Sequence, residues 1–350
     1  MIKLLHSGDW HLDSPLQGRS EEQARVLRRE LLRLPEKIAA LCRQERCDLV
    51  LLSGDLFDGD YTQESYRRVY EALAGMQVPV FIAPGNHDFI SPDSPYEKEL
   101  WPENVHIFKN AQVAWVDLPD LDLRVYGAGF QSMDCESLLE GFRAESLAVG
   151  VFHGDPTQSN SAYNPVTKQQ VADSGLAYLA LGHVHKGDAF RAGDTLCAWP
   201  GCPMGRGYDE QGEKGVRIVT LDEGVTSRFV PLGGPKFYDL SVDFADGIAS
   251  VLPAVANDDF YRITFTGEAE AVDLETLREE YAAFPNLVLR DHTVKPVDLW
   301  QSLGQDNFEG MYFGLLKDAL AGADEQMQEK ILLAAKLSRQ ILDGQEVMLP

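Results

Sequence analysis

Val78-Pro79-Val80-Phe81-Ile82-Ala83-Pro84-Gly85-Asn86-His87-Asp88 is an apolar run that ends on a glycine and then presents an amide, an imidazole and a carboxylate in succession. Four other stretches share this build: Asp9-Trp10-His11, Gly54-Asp55-Leu56-Phe57-Asp58, His153-Gly154-Asp155 and Gly182-His183-Val184-His185. Each follows a short run rich in Leu, Val, Ile or Ala that reads as a buried strand. The pattern predicts all five clusters at the carboxyl ends of strands in one sheet, the edge at which open α/β sheets bind ligands.

Seven metal-competent side chains come from these clusters: Asp9, His11, Asp55, Asn86, His153, His183 and His185. A lone His or Asp at a strand end is usually structural, but five of the eight histidines fall inside the clusters, which favours a metal site. In extended backbone, residues i and i+2 point the same way, so Asp9 with His11, and His183 with His185, are expected to present ligands in pairs. Gly54, Gly85 and Gly182 are expected to let the backbone approach closely or bend after a strand. Seven groups exceed a tetrahedral site and suit two divalent ions sharing a water and one carboxylate, assigned to Asp55. The donors are nitrogen and oxygen only, which suits manganese, with iron or zinc as alternatives.

The order D-x-H, G-D-x-x-D, G-N-H-D, H, G-H-x-H resembles the calcineurin-like metallophosphoesterase superfamily over residues 1 to about 235. The resemblance implies one ion on Asp9, His11, Asp55 and His185 and another on Asp55, Asn86, His153 and His183. A metal-bridging hydroxide would be the nucleophile, with His87 beside the scissile phosphate as general acid or transition-state stabiliser. Asp58 stands where nucleases of SbcD type usually carry His; Asp there often pairs with the motif-three histidine in the wider superfamily. Asp58 is therefore expected to hydrogen-bond His87 and raise its pKa. The bland alternative is that Asp58 merely ties down its own loop.

Three strings resemble the DNA-repair exonucleases of SbcD and YhaO type: Asp9-Trp10-His11-Leu12-Asp13-Ser14-Pro15-Leu16, Trp199-Pro200-Gly201-Cys202-Pro203-Met204-Gly205-Arg206-Gly207, and Gly212-Glu213-Lys214-Gly215. That resemblance implies DNA as substrate, Arg206 and Lys186 as phosphate contacts, an SbcC-type coiled-coil ATPase as partner, and a homodimer. For both basic residues, an ordinary surface charge is the competing reading. A small-molecule phosphodiesterase, acting for example on cyclic nucleotides, and a non-catalytic scaffold binding nucleic acid or the ATPase are the alternative functions. A serine/threonine protein phosphatase is disfavoured, because Gly59 stands where that group has a phosphate-gripping Arg.

The 350 residues carry 55 acidic and 31 basic side chains, a net charge of -24, which counts against a broad non-specific grip on nucleic acid. Residues 239–350 account for -13 of this, whereas Arg19 to Arg46 is net +3. A polyanion would therefore meet the N-terminal part. The five cysteines, without a C-x-x-C pair, read as reduced thiols of a cytoplasmic protein. Neither a signal peptide nor an apolar run near the ~18 residues of a membrane span is evident.

The fold expected is α/β: a metallophosphoesterase sandwich of two mixed β-sheets flanked by helices, with a small α+β cap and C-terminal helices. Pro231-Leu232-Gly233-Gly234-Pro235 reads as a linker, giving a catalytic domain over 1–232, a cap over 236–297 and a helical segment over 298–350. An amphipathic helix is predicted over Glu21 to Arg46, kinked or split at Pro35, and another helix over Ser132 to Phe142.

Overall fold

The computed structural model describes residues 1–344; the last positions of the helical segment expected over 298–350 lie outside the described residues. The chain divides into two compact units. The first comprises Met1–Asp239, Asn257–Arg262 and Ala283–Val288; the second comprises Leu240–Ala256, Ile263–Ala282 and Leu289–Pro350.

The first unit opens with β1 (Ile2–Ser7), α1 (Glu21–Leu31), α2 (Leu34–Glu45), β2 (Leu49–Leu52), α3 (Gln63–Ala74), β3 (Val80–Ile82), α4 (Pro95–Lys98) and β4 (Val105–Ile107). It continues through β5 (Ala114–Leu118), β6 (Leu123–Gly127), β7 (Ala148–His153), α5 (Lys168–Asp173), β8 (Tyr178–Gly182), β9 (Lys186–Ala192), β10 (Thr195–Gly201), β11 (Gly215–Leu221) and β12 (Val225–Pro231). Two mixed six-stranded sheets result, ordered β12-β11-β1-β2-β3-β4 and β5-β6-β7-β8-β10-β9. Strands β1 to β4 run parallel in the first, and β6, β7, β8 and β10 in the second, with antiparallel strands at the margins.

Alternation along the strands produces the layers. Leu49 and Leu51 of β2 face Val149, Val151, Tyr178 and Ala180 in a buried cluster between the sheets, while Val50 and Leu52 turn the other way onto Leu27, Leu31, Ile38 and Leu73 of the helices. The helix predicted over residues 21–46 is split. Ser20 caps α1 through a capping box with Gln23, and Pro35 sits in the first turn of α2, where a missing N–H costs nothing.

No helix forms over Ser132 to Phe142. Cys135 donates to Ala162 O and accepts from Asn164 N, and Leu138 N donates to Asn164 Oδ1. These tertiary partners take backbone groups that a helix would have paired internally. Next come β13 (Phe237–Asp243), β14 (Phe260–Thr266), α6 (Leu274–Glu280) and β15 (Leu287–Asp291), with the three strands in one sheet of order β13-β14-β15. The second unit holds α7 (Phe308–Ala321) and α8 (Glu325–Leu342). Within it, Arg339 is buried, lies 4.1 Å from the Phe313 ring centre and donates to Glu309 and Ser302. Among the described residues no helix is long and apolar enough to cross a membrane.

Candidate metal centre

The five clusters follow the carboxyl ends of strands from two sheets, not one. β1, β2 and β3 of the first sheet deliver Asp9 and His11, Asp55 and Asp58, and Asn86 and His87; β7 and β8 of the second deliver His153, His183 and His185. The ligand pairs do not arise from strand alternation either. Asp9, His11, Asp55 and His183 all have positive φ, at 53°, 46°, 52° and 85°, a region costly for residues with a Cβ and typical of functional sites. Left-handed turns after the strands, not extended backbone, aim these side chains. Gly182 lets the end of β8 approach the loop after β2 closely: a Cβ there would lie 2.1 Å from Ser53 O and 2.9 Å from His153 Nδ1.

All seven side chains converge. The candidate ligand atoms of Asp9, His11 and His185 lie within 4.8 Å of one another, as do those of Asp9, Asp55 and His153. Asp55 Oδ2 sits between the two groups, 3.7 Å from His11 Nε2 and 3.4 Å from His153 Nε2. Asn86 Oδ1 is 2.9 Å from His153 Nε2 and 3.2 Å from His183 Nδ1.

The hydrogen-bond partners of the ring nitrogens fit a candidate cation site. His153 Nδ1 lies 2.8 Å from a carbonyl, Ser53 O, which can only accept, so the proton is on Nδ1 and Nε2 is a bare acceptor. That atom faces two more acceptors, Asn86 Oδ1 and Asp55 Oδ2. His11 Nδ1 meets Asp58 at 3.1 Å and His185 Nδ1 meets Glu210 at 2.6 Å. Both Nε2 atoms are thereby left as acceptors 3.1 Å apart. Asp9 Oδ2 is buried with no hydrogen-bond partner. Several lone pairs converging without donors, mostly from fully buried groups, fit divalent cations and little else.

The electrostatics of the bare protein agree. Burial pushes up the Asp9 carboxyl, and burial with the Asp88 carboxylate nearby raises Asp55 to about 7. Burial also lowers His11 to about 3 and, with His153 beside it, His183 to about 4, favouring the neutral form that metal ligands need. Burial would lower His185 as well, but its hydrogen bond to Glu210 raises it, the one imidazole among these three shifted upward. His87 is half exposed. Its Nδ1 lies 2.7 Å from Asp58 Oδ1, and that hydrogen bond raises its pKa. Burial would raise Asp58, yet the hydrogen bonds from His11 and His87 hold it well below the carboxylate range.

Two groups for which sequence reading assigns no role shape the site. Asp88 is buried and accepts from Gly85 N at 2.8 Å, Asp55 N at 3.1 Å, Leu56 N at 2.7 Å and the Tyr96 hydroxyl at 2.6 Å. It ties the loop after β2 to the loop after β3. Its only signal in sequence is its fixed place behind His87. Asp88→Ala would strand those donors and should cost about 3 kcal/mol or more in urea unfolding; an unchanged midpoint would exclude this role.

Glu210 is the second. Its Oε1 holds His185 Nδ1 and lies 2.8 Å from the Arg206 guanidinium, while its Oε2 accepts from Arg206 N at 2.6 Å. No spacing in the sequence announces it. Because it fixes the His185 tautomer, Glu210→Ala should weaken manganese binding by about 10- to 100-fold, read by isothermal titration calorimetry. Arg206 is mostly buried in this brace, with a terminal nitrogen 4.0 Å from Asp58 Oδ2. The Lys186 ammonium has no hydrogen bond or ion pair among the described residues and stays exposed at the start of β9.

The chain is similar to known proteins. The Calcineurin-like phosphoesterase profile matches residues 2–187. The chain is 30% identical over 241 residues to the uncharacterized metallophosphoesterase YhaO of Bacillus subtilis, covering 64% of this chain and 58% of that protein. It is 24% identical over 275 residues to the SbcD component of the nuclease SbcCD of the same organism, covering 64% of this chain and 67% of that one. Among solved structures, a dimetal phosphatase from Danio rerio aligns with a TM-score of 0.47 at 13% identity, covering 66% of this chain and 96% of the other. The match spans under two thirds of YhaO, so it speaks for the shared domain and not for that whole protein. By the extent of the profile match, the chain belongs to the calcineurin-like phosphoesterase family.

Proposed function

We propose that this protein hydrolyses phosphodiester bonds with two divalent cations and that its substrate is DNA, attacked as an exonuclease would attack it. The observation that carries the hydrolytic reading is the meeting of acceptor atoms on Asp55, Asn86 and His153, and of His11 with His185, with no donor between them. The nuclease part is supported by the similarity to the SbcD component of the nuclease SbcCD. Asp9, His11, Asp55 and His185 would hold one cation, and Asp55, Asn86, His153 and His183 the other, with manganese favoured over iron or zinc. Bound there, the pair would supply an activated water and positive charge to neutralise the phosphate.

The chain's own residues supply the rest. Because Asp58 occupies His87 Nδ1, the proton available to a departing alkoxide is the one on Nε2. The Asp58 hydrogen bond favours the protonated form of that imidazole, and Arg206 lies 4.0 Å from Asp58. Hydrolysis then converts the diester and water into a phosphomonoester and an alcohol.

A small-molecule diester remains the second reading, favoured by the net charge of -24. End-labelled single- and double-stranded DNA, bis-p-nitrophenyl phosphate and cyclic nucleotides, each with manganese and with His87→Ala as control, separate the two. DNA left intact while cyclic nucleotides are consumed would overturn the nuclease reading.

An SbcC-type ATPase is proposed as partner and cytoplasm as location. In support, α7 exposes Phe308, Met311 and Leu315 by 67%, 63% and 71%, one apolar stripe at helical spacing. A homodimer is proposed on the family resemblance alone.

A further inference from the structure

A cluster of arginines in this acidic protein lies outside the metal cluster. Arg25, Arg28 and Arg29 of α1, Arg33 in the turn before α2 and Arg68 of α3 line a cavity of about 560 Å³, with Glu36 and Glu64 as its acidic members. Five positive charges against two negative leave the lining at +3, in a chain that is -24 overall.

The fold builds this surface from the outward side of α1. Ala24, Leu27 and Leu31 are buried against the core, so positions 25, 28 and 29, neighbours at three- and four-residue spacing, must share the opposite face. The cavity is also tied to the candidate site. α1 follows the Asp9 loop and α3 follows the Asp55 loop, and Asp13 of the first accepts from Thr62 N, at the cap of α3, at 2.9 Å and from the Ser65 hydroxyl.

The arginines are available. The Arg28 guanidinium has no hydrogen bond or ion pair among the described residues. Arg25 meets Glu22 at 3.5 Å, Arg33 meets Glu30 at 2.8 Å and Arg68 meets Glu64 at 3.4 Å, but those arginine side chains are 77%, 53% and 43% exposed. The Arg25–Glu22 and Arg68–Glu64 pairs are exposed on both sides and screened by water, so a phosphate can replace either glutamate at little cost, whereas the mostly buried Glu30 holds Arg29 and Arg33 more firmly. Along α1 the rise from Arg25 to Arg29 is roughly 6 Å at 1.5 Å per residue, and Arg33 and Arg68 extend the lining beyond it, room for more than one phosphate of a strand.

We propose that this arginine-lined cavity binds the phosphate backbone of nucleic acid, as a contact separate from the metal cluster. This rests on the nuclease reading above, and one experiment tells the two apart. Binding of a labelled DNA duplex is followed by fluorescence anisotropy in EDTA, where no hydrolysis occurs, across a series of salt concentrations. The protein is compared with Arg28→Gln, with the triple variant Arg25→Gln, Arg28→Gln, Arg68→Gln, and with Arg28→Glu, after matching melting temperatures establish the fold.

Each phosphate contact removed should lower the slope of log affinity against log salt by about 0.9. The triple variant should therefore lose between two and three in slope and bind at least tenfold more weakly at low salt. Slopes and affinities equal to the unsubstituted protein would overturn the proposal, as would a duplex that fails to bind at all. Loss of binding to phosphatidylserine vesicles with DNA binding intact would overturn it in favour of a lipid surface. Cleavage of DNA with manganese is scored separately. Groove-dependent binding without cleavage removes the nuclease reading alone, and cleavage with an unaltered slope removes the groove alone.

Discussion

Asp55→Asn is expected to abolish stoichiometric manganese binding and phosphodiesterase activity, and at the same time to raise the melting temperature of the metal-free protein. Asp55 Oδ2 lies between His11 Nε2 and His153 Nε2, both bare acceptors. An amide nitrogen in that position donates where a carboxylate repels, and Oδ1 can still accept from His87 N, now at 2.9 Å. The substitution also removes a charge buried beside Asp88, the two influences that push the Asp55 pKa to about 7.

The sign of the pH dependence follows. An unfolded Asp ionises near ~4, so between ~4 and 7 the folded metal-free protein keeps a proton that the unfolded chain has released. Stability then falls as pH rises through that interval and levels off above it. The gap between Asp55→Asn and the EDTA-stripped parent should be smallest near pH 4, widen towards pH 7 and stay constant beyond. Thermal melts at three pH values check this, and a variant that melts lower than its parent at pH 8 would show that the carboxylate is tolerated without a cation. A gap that widens with pH as expected would show a centre that sacrifices stability for metal affinity, as functional sites commonly do.

His87→Ala should lower phosphodiester hydrolysis by about 10²-fold or more while leaving manganese stoichiometry as in the parent, because His87, though close to His11 and Asp58, has its Nδ1 taken by Asp58 and is not one of the seven proposed ligands. Its partner makes a separate prediction. The Asp58 hydrogen bond is the largest influence raising the His87 pKa, and a proton donor is lost as pH rises through its pKa. In Asp58→Asn the limb on which activity falls with rising pH should therefore move to lower pH. Asp58 also holds His11 Nδ1 at 3.1 Å, so metal content is measured alongside. A limb that stays in place with metal bound would show that the 2.7 Å contact does not govern the proton on His87.

Much of this was legible from one strand of reasoning. Short apolar runs ending in polar clusters identify both the parallel strands and the seven groups, since a buried strand and the loop after it are encoded within about ten residues. The failures have a common cause. Ser132 to Phe142 carries helix-like spacing, but Cys135 and Leu138 find partners around residue 163, and tertiary hydrogen bonds outweigh a weak local preference. Strand alternation predicts the pairing of Asp9 with His11, whereas the positive φ of both residues shows that it depends on turns held by backbone bonds to Gly54 O and Asp55 O.

By itself, the order of residues determined which side chains are candidate cation ligands and that strands deliver them, because donor type and hydrophobic period are local properties. Only the tertiary structure decided that three clusters come from one sheet and two from another, that Gly182 brings the loops of those sheets together, and that Glu210 and Asp88 hold the tautomer and the loops in place. Those contacts join residues far apart in the chain, and which carbonyl a ring nitrogen meets depends on how the two sheets stack, a quantity that no local stretch of sequence carries.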